Sequence, residues 1–244
     1  MLADRQDAYG HMVLDYLVGE AGQEVDERDD GYVATSGGPA AYFAPFGEWP
    51  RYQREGLRYV RGRVLDVGCG AGRAALHLQD RGHEVVGIDV SPLAVEVCRR
   101  RGVKDARVLS IAQVSRKLGV FDTVLMYGNN FGLFGSFRRA RWLLRRFHGI
   151  TSTDARIVAE SRDPYQTDAP EHLAYHKRNR RRGRMGGQIR LRVRYRAYKT
   201  PWFDYLLVSH DEMQVILGGT GWRVRRFIAP EGSAYVAVIE KERL

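Results

Sequence analysis

The chain has 244 residues, a formal net charge of +10 and two cysteines. That length suits one domain, or one domain with an insertion, and it can bury a sizeable core. Two cysteines exclude a disulfide framework and fit a reducing compartment. The opening residues Met1-Leu2-Ala3-Asp4 are polar and acidic, unlike a secretory signal. No apolar run approaches the ~18 residues of a membrane span. A cytoplasmic location without a membrane partner is therefore expected. Lysine is rare and nearly all the positive charge is arginine. A GC-rich genome can produce that bias without any acidic partner, so the local distribution of charge is more informative than its sum.

Residues 1–60 form a preface to the core. His11 to Val18 has helical spacing, with Met12, Tyr16 and Leu17 on one side. An acidic stretch, Glu24 to Asp30, follows and closes at Gly31. Asp29 and Asp30 read as solvated loop acids or as ligands for a substrate amine. Thr35-Ser36-Gly37-Gly38-Pro39 reads as loop. The aromatic group Tyr42, Phe43, Phe46, Trp49 and Tyr52 reads as packing, or as a lid over the sheet that follows.

Residues 61–244 carry the core. Val64-Leu65-Asp66-Val67 reads as a buried strand. It breaks into a turn with Gly68, Gly70 and Gly72 at alternate positions, and a helix pattern follows (Ala74, Ala75, Leu76, Leu78). Glycines at that spacing let the backbone turn sharply and approach a ligand where a Cβ would collide. A second strand, Glu84 to Val90, ends in Asp89, placed to accept hydrogen bonds from a ribose. The spacing G-x-G-x-G, with Arg73 where a third fingerprint glycine would stand, departs from the dinucleotide pattern G-x-G-x-x-G. Asp66 would repel a pyrophosphate but suits a cationic amine. Strands are predicted at 63–67, 84–88, 106–109, 121–126 and 155–160, and helices at 72–81, 92–101 and 136–147. Ser91-Pro92 is a capping serine followed by proline at the first helical position. Such alternation predicts a parallel, doubly wound α/β sheet. A helix over 209–218, ending at Gly218-Gly219, and strands Arg223–Ile228 and Ala234–Ile239, joined by Pro230-Glu231-Gly232, complete the chain.

An insertion, 163–208, separates the fifth strand from that helix. Ile189, Leu191, Val193 and Tyr195 alternate there with Arg190, Arg192, Arg194 and Arg196. Period-two alternation predicts a strand with one buried face. His172 to Lys177 is the predicted partner strand, across a basic turn at 180–184. The arginines read as a solvated face, as a phosphate clamp, or as an edge pairing with another subunit. Aromatic residues interleave sparsely (Tyr175, Tyr195, Tyr198), giving little sign of a base-stacking platform.

The run Asp66 to Arg73 resembles the glycine-rich motif of class I S-adenosylmethionine-dependent methyltransferases, and Asp89 matches the acid ending their second strand. The resemblance extends over about 60–240, to bacterial small-molecule enzymes of that family. It implies a doubly wound, mostly parallel seven-stranded (Rossmann-like) sheet with an antiparallel last strand, an N-terminal helical lid and a β-hairpin insertion after the fifth strand. It implies S-adenosylmethionine as cofactor and S-adenosyl-L-homocysteine as product. The cofactor would lie against Asp66, Gly68, Cys69, Gly70, Gly72, Asp89 and Val90, with Ile111, Ala112, Tyr127 and Gly128 across the crevice. The family's acid after the third strand is missing: Leu109-Ser110-Ile111-Ala112-Gln113 stands there, and Gln113 could substitute. The Asn/Asp-Pro-Pro-aromatic sequence of amino-methylating DNA enzymes is also missing; Tyr127-Gly128-Asn129-Asn130-Phe131 stands in its place. A small-molecule acceptor methylated on nitrogen or oxygen is expected, by direct in-line displacement. RNA methylation through the arginine-rich segment, or a non-catalytic cofactor-binding module, is the alternative. Such chemistry needs no obligatory base. His172, His11 and Tyr9 are candidate bases, and Asn130 or Asn129 could orient the acceptor, or Asn129 could serve only as a left-handed turn residue. His172 and His176 stand four apart, but no third ligand completes a metal site. A monomer or a homodimer is expected.

Overall fold

The computed structural model describes residues 2–228 and 232–242. Twelve strands and eight α-helices alternate in the described chain. α1 (Ala8–Leu17) opens it, followed by the short strands β1 (Val25–Arg28) and β2 (Val33–Thr35), then α2 (Ala40–Phe43) and α3 (Arg51–Gly56). The alternating core is β3 (Val64–Val67), α4 (Arg73–Asp80), β4 (Val85–Asp89), α5 (Pro92–Arg100), β5 (Ala106–Val108), β6 (Phe121–Met126), α6 (Phe137–Gly149) and β7 (Thr151–Arg162). Then come α7 (Pro170–Arg181), β8 (Gln188–Tyr195), β9 (Tyr198–Lys199), β10 (Phe203–Leu206), α8 (His210–Leu217), β11 (Trp222–Ile228) and β12 (Ala234–Lys241).

Seven strands form one sheet in the order β11-β12-β7-β6-β3-β4-β5. β6 runs parallel to β7 and β4 parallel to β5, while β12 is antiparallel to both of its neighbours. The expected parallel sheet with an antiparallel last strand is therefore present. All four residues of β3 are buried, as befits a strand covered on both faces. Helix starts follow the sequence signals. Ser91 Oγ accepts from Ala94 N at 2.9 Å, with Pro92 in the first turn; Ser209 and Glu212 form a capping box at α8. The joint at Pro230-Glu231 lies outside the described residues.

The chain divides into two compact units, one of Met1–Trp49, Leu65–Gln113 and Arg190–Phe203, the other of Pro50–Val64, Val114–Ile189 and Asp204–Leu244. In the first unit, α1 rests on an apolar cluster of Ala8, Met12, Val13, Ala71, Ala94, Val97 and Tyr195. Asp7 fixes where α1 begins. One of its carboxylate oxygens accepts from Gly10 N at 3.1 Å and the other from Leu93 N at 3.0 Å, so one buried carboxylate satisfies the N-termini of α1 and α5. In the second unit, Trp222 is fully buried and donates from Nε1 to Leu144 O at 2.9 Å.

One reading of the insertion is corrected. His172 to Lys177 is helical, inside α7. β8 instead pairs with β1, with β9 and, as its sheet neighbour, with β10, in the order β10-β8-β1-β2. The hairpin of the insertion is thus β8–β9, turning at Arg196 with φ 50°. The acidic stretch, to which no element was assigned from sequence, contains β1, and Asp29 and Asp30 lie in the turn after it. Its Glu27 accepts from Arg192 at 2.9 and 3.0 Å and from Arg194 at 3.1 Å, so opposite charge matches the two strands across the ladder.

Replacing Trp222 by Ala removes a fully buried indole and its hydrogen bond. The expected loss is ~3–5 kcal/mol of unfolding free energy, with a smaller loss for Trp222→Phe; urea titration followed by circular dichroism measures both.

Candidate functional site

The glycine turn is built by backbone conformation. Gly68, Gly70 and Gly72 have φ of 70°, 54° and 80°, the left-handed region that L side chains rarely adopt. A Cβ on Gly72 would stand 2.7 Å from Val103 Cγ2 and 3.1 Å from Cys98 Sγ, and one on Gly70 would collide with the Tyr9 hydroxyl. The turn's outward carbonyls are occupied: Cys98 Sγ donates to Gly70 O at 3.0 Å and Arg101 Nη1 to Ala71 O at 2.5 Å. Gly68 N donates to Ile88 O at 2.8 Å, tying the turn to β4. Cys69 and Cys98 are buried free thiols with their sulfurs 3.8 Å apart. The hydrogen bond with Cys98, and then burial, push the Cys69 thiol well above its ordinary range, so it stays protonated.

Two acids lie beside this turn. Asp89 Oδ2 accepts from Gly70 N at 3.1 Å and Oδ1 from Ser91 N at 3.0 Å. Burial raises its carboxyl above the usual range, and those two N–H groups oppose the shift. Each oxygen retains a further lone pair. Asp66, 3% exposed, has a buried Oδ2 with no hydrogen-bond partner among the described residues. Burial, and then the Asp89 charge, push its carboxyl up to about 7, with Arg73 acting in the opposite sense. An unpaired buried carboxylate is costly. This one stands ready for a cation, and the oxygens of Asp89 for hydroxyl donors.

The other candidates of the first unit are less central. Val90, 40% exposed, accepts from Leu2 N through its carbonyl at 3.3 Å. Ile111 is buried and Ala112 half-buried in the turn after β5; Gln113 Oε1 accepts from Ser110 N at 3.0 Å and closes that turn, so its carbonyl is engaged locally. Tyr9, on α1, places its hydroxyl over Gly70 and its ring edge-on to Tyr42 at 5.1 Å. Burial pushes its phenol well above the ordinary range, which suits a donor and not a base. His11 stacks on Tyr198 with ring centroids 3.5 Å apart and bonds to Asp4 Oδ1 at 3.1 Å. Asp30 is held by Arg28 at 2.8 Å and does not stand open for an amine. Glu24 and Asp26, in the same stretch, form no ion pair among the described residues, and one buried oxygen of Glu24 has no hydrogen-bond partner.

The second unit holds the turn after β6. Gly128 and Asn129 have φ of 73° and 61°, so Asn129 is the left-handed turn residue its type allows. Asn130 opens the following single turn. Glu160, a buried acid of β7 that the sequence analysis missed, accepts from Gly128 N at 2.7 Å, Gln53 Nε2 at 2.8 Å and Tyr52 Oη at 3.0 Å. Tyr127 Oη donates to Gln53 O at 2.7 Å and Tyr205 Oη to Asn129 O at 2.6 Å. An acid directly after the apolar run Ile157-Val158-Ala159 was the available signal. His172 is half-buried on α7, and His176 is buried edge-on to Tyr165. Among the described residues no three His, Cys, Asp or Glu side chains could hold a metal ion. No helix there is long and apolar enough to cross a membrane.

Residues 64–152 match the family model described as a methyltransferase domain. The S-adenosylmethionine-dependent methyltransferase of Bacteroides fragilis, solved in complex with S-adenosyl-L-homocysteine, is 25% identical with a TM-score of 0.84, over 100% of this chain and 98% of that one. The 2-heptyl-1-hydroxyquinolin-4(1H)-one methyltransferase of Mycobacteroides abscessus is 38% identical over 73 residues, 27% of this chain and 32% of that protein. The ubiquinone biosynthesis O-methyltransferase of Methylocella silvestris is 41% identical over 68 residues, 26% and 27% of the two chains. The chain therefore spans about a third of the length of the curated relatives it matches. In its glycine turn, the order of its sheet and its full-length likeness to the Bacteroides protein, the chain is similar to S-adenosylmethionine-dependent methyltransferases, and residues 64–152 match a methyltransferase domain.

Proposed function

We propose that this chain transfers a methyl group from S-adenosylmethionine to nitrogen or oxygen of a small-molecule acceptor. The observation that carries the reading is the unpaired, buried carboxylate of Asp66 beside a glycine turn that a Cβ would fill. When bound, S-adenosylmethionine supplies an activated methyl group on a sulfonium. Asp66 holds its ammonium, the backbone of Gly68 to Gly72 lies against its amino-acid end, and Asp89 accepts from the ribose hydroxyls. Val90, Ile111 and Ala112 are assigned to its adenosine end. Tyr9 covers Gly70 and excludes water there. Neither Tyr9 nor His11 is placed as a base, so positioning is the chain's main contribution.

A nucleic-acid acceptor is disfavoured by the arginine-rich strand itself. Arg192 and Arg194 are engaged by Glu27, and Arg196 by Asp15 and Glu20, each at 2.8 Å. Phosphate affinity depends on arginines free to neutralise it. The free thiols of Cys69 and Cys98 support a reducing, cytoplasmic setting. The names of the curated relatives support methyltransferase chemistry, and their acceptors are their own.

Asp89→Ala should weaken S-adenosylmethionine binding by roughly ten- to a hundredfold, the range of a lost charge-assisted hydrogen bond; calorimetry giving wild-type affinity would remove Asp89 from that role. Label from radioactive S-adenosylmethionine should enter the small-molecule pool of a cell extract and be absent with Gly70→Val. Label that sediments with RNA and vanishes on nuclease treatment would overturn the acceptor class.

Asp66 gives a pH signature. Its carboxyl at about 7 is protonated below that pH and ionised above it. Cofactor affinity should therefore rise between about pH 5.5 and 7.5 and be flat over that range in Asp66→Asn. The ligand-free protein behaves oppositely. Between the ordinary carboxylate value of 3.8 and about 7 the folded state keeps a proton that the unfolded state has released. Stability is thus lost as pH rises through that window. The melting temperature of Asp66→Asn should match wild type near pH 4 and exceed it increasingly towards pH 7, by scanning fluorimetry.

A further inference from the structure

The two sides of β1 treat their carboxylates differently. On one side, Glu27 lies opposite Arg192 and is bound by Arg192 and Arg194. On the other, Glu24 and Asp26 share a face because they stand two residues apart on an extended chain. Asp26 lies opposite Val193, which packs against the apolar cluster under α1. Glu24 is 2% exposed; its Oε1 accepts from Ser36 Oγ at 2.6 Å and Tyr42 Oη at 2.9 Å, and its buried Oε2 has no partner. Burial and the Glu24 charge push the half-buried Asp26 carboxyl up to about 6. The chain holds 39 lysines and arginines against 29 acids, yet among the described residues no basic side chain forms an ion pair with Glu24 or Asp26.

The surroundings of the pair lead to the glycine turn. Tyr42, bonded to Glu24, meets the Tyr9 ring edge-on at 5.1 Å, and the Tyr9 hydroxyl rests on Gly70. Carboxylates stabilise an ammonium through charge-assisted hydrogen bonds and tyrosine rings attract it. Backbone amides and hydroxyls would not relieve two neighbouring negative charges; a cation would. Asp26 is the less buried of the two.

We propose that Glu24 and Asp26 receive the ammonium group of the methyl acceptor, which is therefore a small molecule bearing an aliphatic amine. This deepens the methyltransferase reading and rests on it. The assignment concerns recognition: which atom of the acceptor takes the methyl group is separate from which atom is held.

The test uses the full chain, radiolabelled S-adenosylmethionine and an ultrafiltered small-molecule extract, either untreated or acetylated with acetic anhydride. Acetylation converts each primary or secondary amine to a neutral amide. Label should enter the untreated extract and be lost from the acetylated one. Asp26→Asn and Glu24→Gln should each lower the rate at limiting extract by about tenfold or more. The rate should recover as the extract is concentrated, since the defect lies in acceptor binding. Glutamine at 24 keeps the acceptor for Ser36 and Tyr42, and the Asp26 variant disturbs no hydrogen bond. Cofactor affinity by calorimetry should stay within about threefold of wild type for both. Undiminished label in the acetylated extract, or wild-type rates in both variants at limiting extract, overturns the amine assignment and leaves methyl transfer intact. Label in neither extract, with the cofactor bound, overturns the methyltransferase reading and the amine assignment with it.

Discussion

Uncompensated negative charge, buried beside a loop that only glycine can form, is the constraint on which the first unit depends. Asp66 and Asp89 lie next to Gly68, Gly70 and Gly72, and among the described residues neither forms an ion pair. Asp89 is stabilised by two backbone N–H groups, that of Gly70 in the left-handed turn and that of Ser91 at the start of α5. Asp66 lacks even that. A fold seldom retains such a group for its own stability, because desolvation without a partner is costly and the proton then stays on. The cost is offset when a cation binds, which makes the strain of the ligand-free loop and the affinity of the loaded one two sides of the same arrangement.

The rest of the first unit keeps that loop dry and in place. Asp7 joins the N-termini of α1 and α5, and so sets the height of α1 against the sheet. That places Tyr9 over Gly70. From Tyr9 the contacts run to Tyr42 and Glu24. The arginines of β8 serve this arrangement by holding β1 from outside. With Glu27 bound on the outer side, the inner carboxylates of β1 are left without a basic partner. The large positive charge of the chain is thus spent in part on internal pairing, and reading it as a nucleic-acid surface would count the same arginines twice.

The glycine turn, the strand acids and the alternating core were legible because each rests on a local rule. A left-handed backbone asks for glycine, a fully buried strand for an apolar run, and a helix start for serine and proline. Local rules fail where structure depends on distant partners. β1 is a polar strand whose ladder partner, β8, stands more than 160 residues later, as the pairing of Glu27 with Arg192 shows. α7 has no side-chain cap and little apolar periodicity, since its buried residues are Tyr175, His176 and Asn179. Only charge complementarity between the acidic stretch and the arginine strand could have joined β1 to β8. Glu160 was hidden for a related reason: its donors come from α3 and the turn after β6.

The most direct test of the account is a crystal structure of this chain grown with S-adenosyl-L-homocysteine. The account predicts the ligand's ammonium at Asp66, its ribose hydroxyls on Asp89 and its amino-acid end along Gly68 to Gly72. A ligand bound elsewhere, or a glycine turn still bare at saturating ligand, would contradict it.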